Sequence, residues 1–342
     1  MNEQFKNFLI KAFERNATDV HIKKNADARL RISRQLDLYK DCTYSGKNIE
    51  GLCKELLTDI ELEQYKKKRY VKGIYQVNEK LKIRFCFSFD RGKPYLAIRL
   101  LPMKIQSWEN LQIPNIALNC LRQKQGLMLI SGAVGSGKSS TIASFVEFLN
   151  TNRNEHIIFI DELIEFKVKS KECIVNLREL GKDTQSYRTA LRYALREDPD
   201  IIVIGELTDS ESIEFALDIA ETGHLVIAGI STIGSLNTIF RVLNSFNSQE
   251  AENSRMRLAS YLIGVISQIM VPDIQGIDNI PIFEAMTMSN AVSNGIRSDK
   301  QNQLRAEMSR SIKGVSITFE DYAKRLQAKG MIGKNIDFGR RD

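Results

Sequence analysis

The residues with the strongest claim to chemistry lie in 131-SGAVGSGKSST-141. Gly132, four further residues, then Gly137, Lys138 and Ser139 satisfy G-x-x-x-x-G-K-[ST], a pattern that cradles phosphate when a strand precedes it and a helix follows. The flanks read that way, with the apolar run GLMLI before and the helix-like IASFVEFL after. Glycines let backbone N–H groups turn inward toward phosphate oxygens, and the following helix offers its unsatisfied N-terminal amides to the same anion. Gly132, Ala133, Val134, Gly135, Ser136 and Gly137, with Lys138, Ser139 and Ser140, are therefore the expected nucleotide-binding segment. Lys138 would reach the β- and γ-phosphates of ATP, and Ser139 would offer a hydroxyl to Mg²⁺.

Such a loop needs an acid on the metal and water side. The segment 199-PDIIVIGEL-207 supplies one: Glu206 follows four aliphatic residues and a glycine, so it should emerge at the C-terminal edge of a buried strand, where open α/β sheets bind ligands. Asp161 and Glu162 follow a second such strand, HIIFI, and would leave it at the same edge, placed to polarise water or to brace a group that does. Arg188, Arg192 and Arg196 recur at i, i+4 and i+8 on a helix leading into the Glu206 strand, a solvent-facing stripe or an intersubunit contact. His224 precedes the apolar run LVIAGI, where a helix C-cap or a satisfied core histidine is the plain reading.

The elements that must hold these residues fall into two parts. Residues 1–100 read as an α+β module, with a helix near 3–15, short strands around 20–23 and 28–32, helices around 46–69, and alternating segments such as 81-LKIRFCFSF-89. Residues 101–116, bracketed by Pro102 and Pro114, read as a hinge-bearing linker. From 117 to 342, LMLIS, HIIFID, DIIVIGE and LVIAGI are short continuous apolar runs separated by helix-like segments, the pattern of a largely parallel sheet covered on both faces.

Composition narrows the class. With 342 residues, 43% hydrophobic and 27% charged, the chain has room for two ordinary globular domains. No apolar run is long enough to span a bilayer and the acid-bearing N-terminus is no signal peptide, so a cytoplasmic protein is expected. Cys42, Cys53, Cys86, Cys120 and Cys173 are scattered and never form C-x-x-C, which supports neither a disulfide framework nor a structural zinc site. A net charge of +7 admits nucleic acid, an anionic membrane face or an acidic protein as partner. The densest basic run, 66-KKKR-69, lacks the interleaved aromatics of a base-stacking surface, which makes nucleic acid the least expected of these.

Taken together, 128-MLISGAVGSGKSSTIASFVEFLN-150, HIIFIDELIEF, IVNLRELGKDTQSYRTALRYALREDPDIIVIGE and AETGHLV resemble the type IV pilus retraction ATPases, the PilT-like branch of the bacterial secretion ATPase superfamily. The resemblance extends to 17-ATDVHI-22 and 314-GVSITFEDYAKRLQAKGMI-332. It implies a PAS-like N-terminal domain joined to a RecA-like P-loop ATPase domain, a homohexameric ring, and a peripheral position at the inner membrane. The ring would act there on a platform protein, beside a paralogous assembly ATPase, to drive pilus retraction. Under it, Lys138 and Ser139 bind nucleotide and Mg²⁺, Glu206 is the Walker B acid, Asp161 takes the catalytic position of the Asp box, and His224 is the first histidine of the His box. Arg84, Arg91 and Arg99 are candidates to reach the γ-phosphate across the domain gap, although as residues they equally read as surface strand charges.

Some positions depart from the family pattern. Asp161, Glu162 and Leu163 stand where Glu-Asp-Pro is usual, Ser231 where the second His-box histidine would be, and Thr208 where an arginine usually follows the Walker B acid. The segment 291-AVSNGIRSDK-300 replaces a stretch that normally reads Ala-Ile-Arg-Asn-Leu-Ile-Arg-Glu, which implies a divergent member of type IVb-like character. The short N-terminal region and the lack of a four-cysteine zinc motif favour retraction over an assembly or secretion ATPase. A nucleic-acid motor and a weakly active regulatory subunit are the readings from outside that class.

Overall fold

The computed structural model describes residues 1–338 apart from 33, 34, 248–250, 277, 309, 310, 313 and 337. It divides into two compact units, Met1–Lys104 with Gln275–Asp278, and Ile105–Ile274 with Asn279–Asp342.

The first unit runs α1 (Glu3–Glu14), β1 (Asp19–Lys23), β2 (Asp27–Ile32), β3 (Gln35–Thr43), α2 (Gly46–Leu56), α3 (Asp59–Lys68), β4 (Val71–Gln76), β5 (Leu81–Asp90) and β6 (Lys93–Pro102). Its strands form one antiparallel sheet in the order β3-β2-β1-β6-β5-β4. Alternate strand residues, among them Val20, Ile22, Leu30, Ile83, Phe85, Phe87, Leu96 and Ile98, bury against Phe5, Phe8 and Leu9 of α1 and Ile49 and Leu52 of α2. That period of two is what a half-covered sheet requires. The helices expected over 46–69 are two, separated because Ser45 with Asn48 and Thr58 with Glu61 build their own capping boxes.

The second unit runs α4 (Asn115–Leu121), β7 (Gly126–Ser131), α5 (Lys138–Asn152), β8 (His156–Asp161), β9 (Ile174–Glu179), α6 (Tyr187–Ala194), β10 (Ile201–Ile204), α7 (Ser210–Glu221), β11 (Leu225–Ile230), α8 (Ser235–Leu243), α9 (Ala251–Tyr261), β12 (Leu262–Pro272), β13 (Asn279–Thr287), α10 (Asn290–Arg297), α11 (Gln301–Met308), β14 (Ser316–Ile317) and α12 (Phe319–Ala328). The sheet order is β14-β13-β12-β7-β11-β10-β8-β9. The strands from β12 to β9 are parallel, and β13 and β14 add an antiparallel edge.

Both faces of the parallel sheet are covered, which explains the unbroken apolar runs. Met128, Ile130, Ile157, Val203 and Ile227 pack on α4, α5 and α12, whereas Leu127, Leu129, Ile158, Ile202 and Val226 pack on α6, α7, α8 and α9. Each such fully buried aliphatic side chain contributes roughly 1.5–3 kcal/mol relative to exposure.

The stretch 101–116 behaves differently from a free linker. Leu101 and Pro102 still belong to β6, and from Ile105 onward the chain is held by the second unit. Ile113 is buried there, Ile105, Trp108 and Leu111 pack on the same core, Tyr322 donates to Gln112 O, and Lys329 Nζ donates to Gln112 Oε1 at 2.9 Å. Apolar residues inside the stretch, which the bracketing prolines concealed, account for the difference.

Candidate functional site

Four strands that are neighbours in the sheet, β7, β11, β10 and β8, end at one edge, and the loops leaving them carry the site. The phosphate loop follows β7 and leads into α5, whose N-cap Gly137 has φ 88°. A side chain at Gly132 would meet Ser136 Oγ at 2.3 Å and Gln268 O at 2.5 Å, so the turn out of β7 has room only for glycine. Gln268 of β12 is buried beneath the loop and donates from Nε2 to Ser136 O at 2.6 Å. The loop is thus propped from the adjacent strand, a role that nothing in the local sequence around Gln268 announces.

Lys138 turns back over this loop. Its ammonium donates to Gly132 O at 2.8 Å, Ala133 O at 3.3 Å and Ser231 Oγ at 3.2 Å. Burial lowers its pKa from the ordinary lysine value, and the Glu206 carboxylate works in the opposite direction. Ser231 in turn donates its hydroxyl proton to Glu206 Oε1.

Glu206 stands just past β10. The backbone on either side of it is tied to both neighbouring strands, Gly205 N donating to Ile160 O at 2.8 Å and Leu207 N to Gly229 O at 2.7 Å. Asp161, at the end of β8, folds over Gly205: a Cβ there would lie 2.0 Å from Asp161 Cγ. Gly205 is the residue that lets two acids from adjacent strands share one corner. Its sequence signal was a glycine directly before the acid in IVIGE.

Asp161 accepts from Glu162 N at 2.7 Å. Burial pushes its pKa up to about 6, against the opposing pull of the Glu162 amide. Glu162 itself is exposed. Tyr187 at the start of α6 belongs to the same corner: burial, with the charges of Asp161 and Glu162 adding to it, raises its hydroxyl pKa far above the ordinary value. Tyrosine in SYRTALRY reads only as part of an amphipathic helix, so this neighbourhood was not legible in the sequence.

The remaining candidates lie elsewhere. His224 is at the opposite end of β11 from Ser231, seven residues and roughly 20 Å away. Its Nδ1 is 3.0 Å from Thr222 Oγ1 and 3.2 Å from Ile219 O, at the C-terminal end of α7. Within one chain it stands at the far end of β11 from the phosphate loop and holds the end of α7, as the helix C-cap reading expects.

Arg84, Arg91 and Arg99 belong to the first unit. Arg84 pairs across the strands with Arg99, while Arg91, with φ 50°, occupies the β5–β6 turn, seven residues and roughly 20 Å further along. Arg91 cannot share one phosphate with the other two from the same chain. Arg99 Nε is already engaged by Asp19 Oδ1 at 3.0 Å. In α6, Arg188 pairs with Glu211 at 3.3 Å, but the helix ends at Ala194, so Arg196 falls in the turn beyond it, over the Tyr193 ring at 5.7 Å, and the three arginines do not form one helical stripe.

Comparison with known proteins adds what geometry cannot. Residues 96–316 match the family model described as type II/IV secretion system protein. The chain is 32% identical over 322 residues to the type IV pilus retractation ATPase PilT of Pseudomonas aeruginosa, covering 94% of this chain and 93% of that protein. It is 35% identical over 289 residues to the uncharacterized protein YggR of Escherichia coli, covering 84% and 87%. The crystal structure of the pilus retraction motor PilT with bound ADP superposes with a TM-score of 0.84 at 33% identity, over 96% of this chain and 94% of that one.

The tight corner at Gly205 yields a stability prediction. Gly205→Ala should destabilise the fold by about 1–3 kcal/mol, an overpacking cost, and Asp161→Ala in the same chain should recover part of it. Thermal unfolding of the single and double variants reads this directly.

Asp161 yields a pH prediction. Folding raises its pKa, so the folded state holds the proton more tightly than the unfolded chain, and its contribution to stability is greatest at low pH and lost as pH rises through about 6. Between pH 4.5 and 8 the Tm of Asp161→Asn should therefore shift in the variant's favour relative to wild type. A constant difference across that range would mean that the Asp161 carboxyl is not shielded from water as described.

Proposed function

This chain belongs to the type II/IV secretion system protein family and is an ATPase of its pilus-retraction type, and from that premise we propose that it is the motor that retracts a type IV pilus. The observation that carries the proposal is the similarity to a pilus retractation ATPase along 94% of the chain, through both units and not through the nucleotide core alone. We further propose that it works as a homohexameric ring on the cytoplasmic side of an inner-membrane platform protein, alongside a paralogous assembly ATPase. No helix among the described residues is long and apolar enough to cross a membrane.

In the proposed mechanism, the backbone amides of the phosphate loop and the start of α5 bind the β- and γ-phosphates of ATP. Phosphate oxygens then replace Gly132 O and Ala133 O as acceptors for Lys138, a compact point charge suited to that exchange. Ser139 at the first turn of α5 and Glu206 at the strand edge are hard oxygen donors of the kind Mg²⁺ takes in company with phosphate, and these two residues would hold it. When bound, that ion neutralises charge developing on the phosphate oxygens.

Asp161 would act as the base that takes the proton of the attacking water, since an acid poised near pH 6 is ionised at neutral pH yet able to hold a proton. Glu162, next along the chain, would brace that corner. Arg84 and Arg99 remain candidates to sense the γ-phosphate, in this chain's own site or in that of a neighbouring subunit of the ring.

Two expectations test the proposal. Lys138→Ala should lower ATP turnover by a hundredfold or more, on the order of several kcal/mol of lost electrostatic stabilisation, while Glu206→Gln should retain nucleotide binding and lose turnover; steady-state hydrolysis and labelled-nucleotide binding measure both. In cells, deleting the gene should leave pili assembled and more abundant while abolishing their shortening. Bald cells would reassign the protein to assembly, and unchanged pili would point to secretion.

A further inference from the structure

The sheet order β7-β11-β10 places β11 between the strand that feeds the phosphate loop and the strand that ends in Glu206. The end of β11 is bonded to both sides: Gly132 N donates to Ile230 O at 3.3 Å, and Leu207 N donates to Gly229 O at 2.7 Å. Whatever side chain follows Ile230 therefore stands between the lysine and the acid. That residue is Ser231, and it touches both.

A serine hydroxyl has one proton to give and lone pairs to receive. Here the proton goes to Glu206 Oε1, and a lone pair accepts a Lys138 N–H at 3.2 Å. Donor and acceptor roles then run in one direction, from ammonium through hydroxyl to carboxylate, and each bond polarises the next. Among the described residues, Glu206 Oε2 takes no hydrogen bond from the protein, so the carboxylate is held by one oxygen and the other is left for the reaction. Without the hydroxyl, the Glu206 carboxylate would be free to rotate out of this orientation.

We infer that Ser231 is a positioning residue for hydrolysis: it fixes the orientation of the Glu206 carboxylate and ties it to the place of the Lys138 ammonium. The inference rests on the ATPase site proposed above. It assigns a working group to a position that, by resemblance, reads only as a missing histidine. Because the hydroxyl acts on the acid and not on the phosphates, its loss should appear in kcat and not in nucleotide affinity.

The test measures steady-state hydrolysis and labelled-ADP binding for wild type, Ser231→Ala, Ser231→Thr and Lys138→Ala, with thermal unfolding as the check on folding. Ser231→Ala should lower kcat about tenfold or more while KM and ADP affinity stay within about threefold. Ser231→Thr, which keeps the hydroxyl, should return kcat to within about threefold of wild type. Wild-type kcat in Ser231→Ala, a parallel loss of affinity, or failure of threonine to restore turnover in a folded protein would each overturn the inference. Lys138→Ala separates the two levels. Wild-type turnover in that variant removes the site reading itself, whereas an inactive Lys138→Ala beside an unaffected Ser231→Ala removes only the role of Ser231.

Discussion

The close approach of the strand ends at Gly205 and Gly229 is the constraint on which the site depends. Gly205 leaves space for the Asp161 carboxyl, and Gly229 leaves space for Gly205 O, which a side chain there would meet at 2.1 Å. These two glycines let β8, β10 and β11 finish side by side, with backbone bonds from Gly205 to Ile160 and from Leu207 to Gly229. A parallel sheet covered on both faces provides the rigid base, and its C-terminal edge is where loops can carry polar groups without burying them unpaired. Sheet order then becomes site order, with Lys138, Ser231, Glu206 and Asp161 following β7, β11, β10 and β8.

Electrostatics follow from that packing. A lysine and two acids in a half-buried corner cost desolvation energy, and the cost shows as a lowered Lys138 pKa and a raised Asp161 pKa. The protein offsets it with donors and acceptors, two carbonyls and a hydroxyl on the lysine, a hydroxyl on Glu206 and a main-chain amide on Asp161. A corner arranged this way favours a group that trades protons near neutrality and a cation ready to exchange carbonyl oxygens for phosphate, the two properties phosphoanhydride hydrolysis uses.

The first unit is a separate solution to burial. Its sheet is covered on one face, so its strands alternate, and the polar positions carry Arg84 and Arg99 opposite each other. Strand register decides such pairings, and it decides equally that Arg91 stands apart at the turn. The stretch after Lys104 shows the reverse case, in which apolar residues between two prolines join the second unit's core.

How much was legible in the sequence depended on how local the cause was. The phosphate loop, the strands before Lys138, Asp161 and Glu206, and the alternating strands of the first unit are written in contiguous residues, because glycine geometry, buried apolar runs and period-two patterns act over a few positions. What the sequence by itself determined was therefore the loop, the two acids at strand ends, and the two-part architecture. Only tertiary structure decided that His224 lies at the far edge from the loop, that Gln268 supports the loop from β12, that Tyr187 joins the Asp161 corner, and that Ser231 links Lys138 to Glu206. Each of these turns on which strands are neighbours and which end of a strand a residue occupies. Those relations join residues as far apart as Ser136 and Gln268, and no spacing within a single segment encodes them.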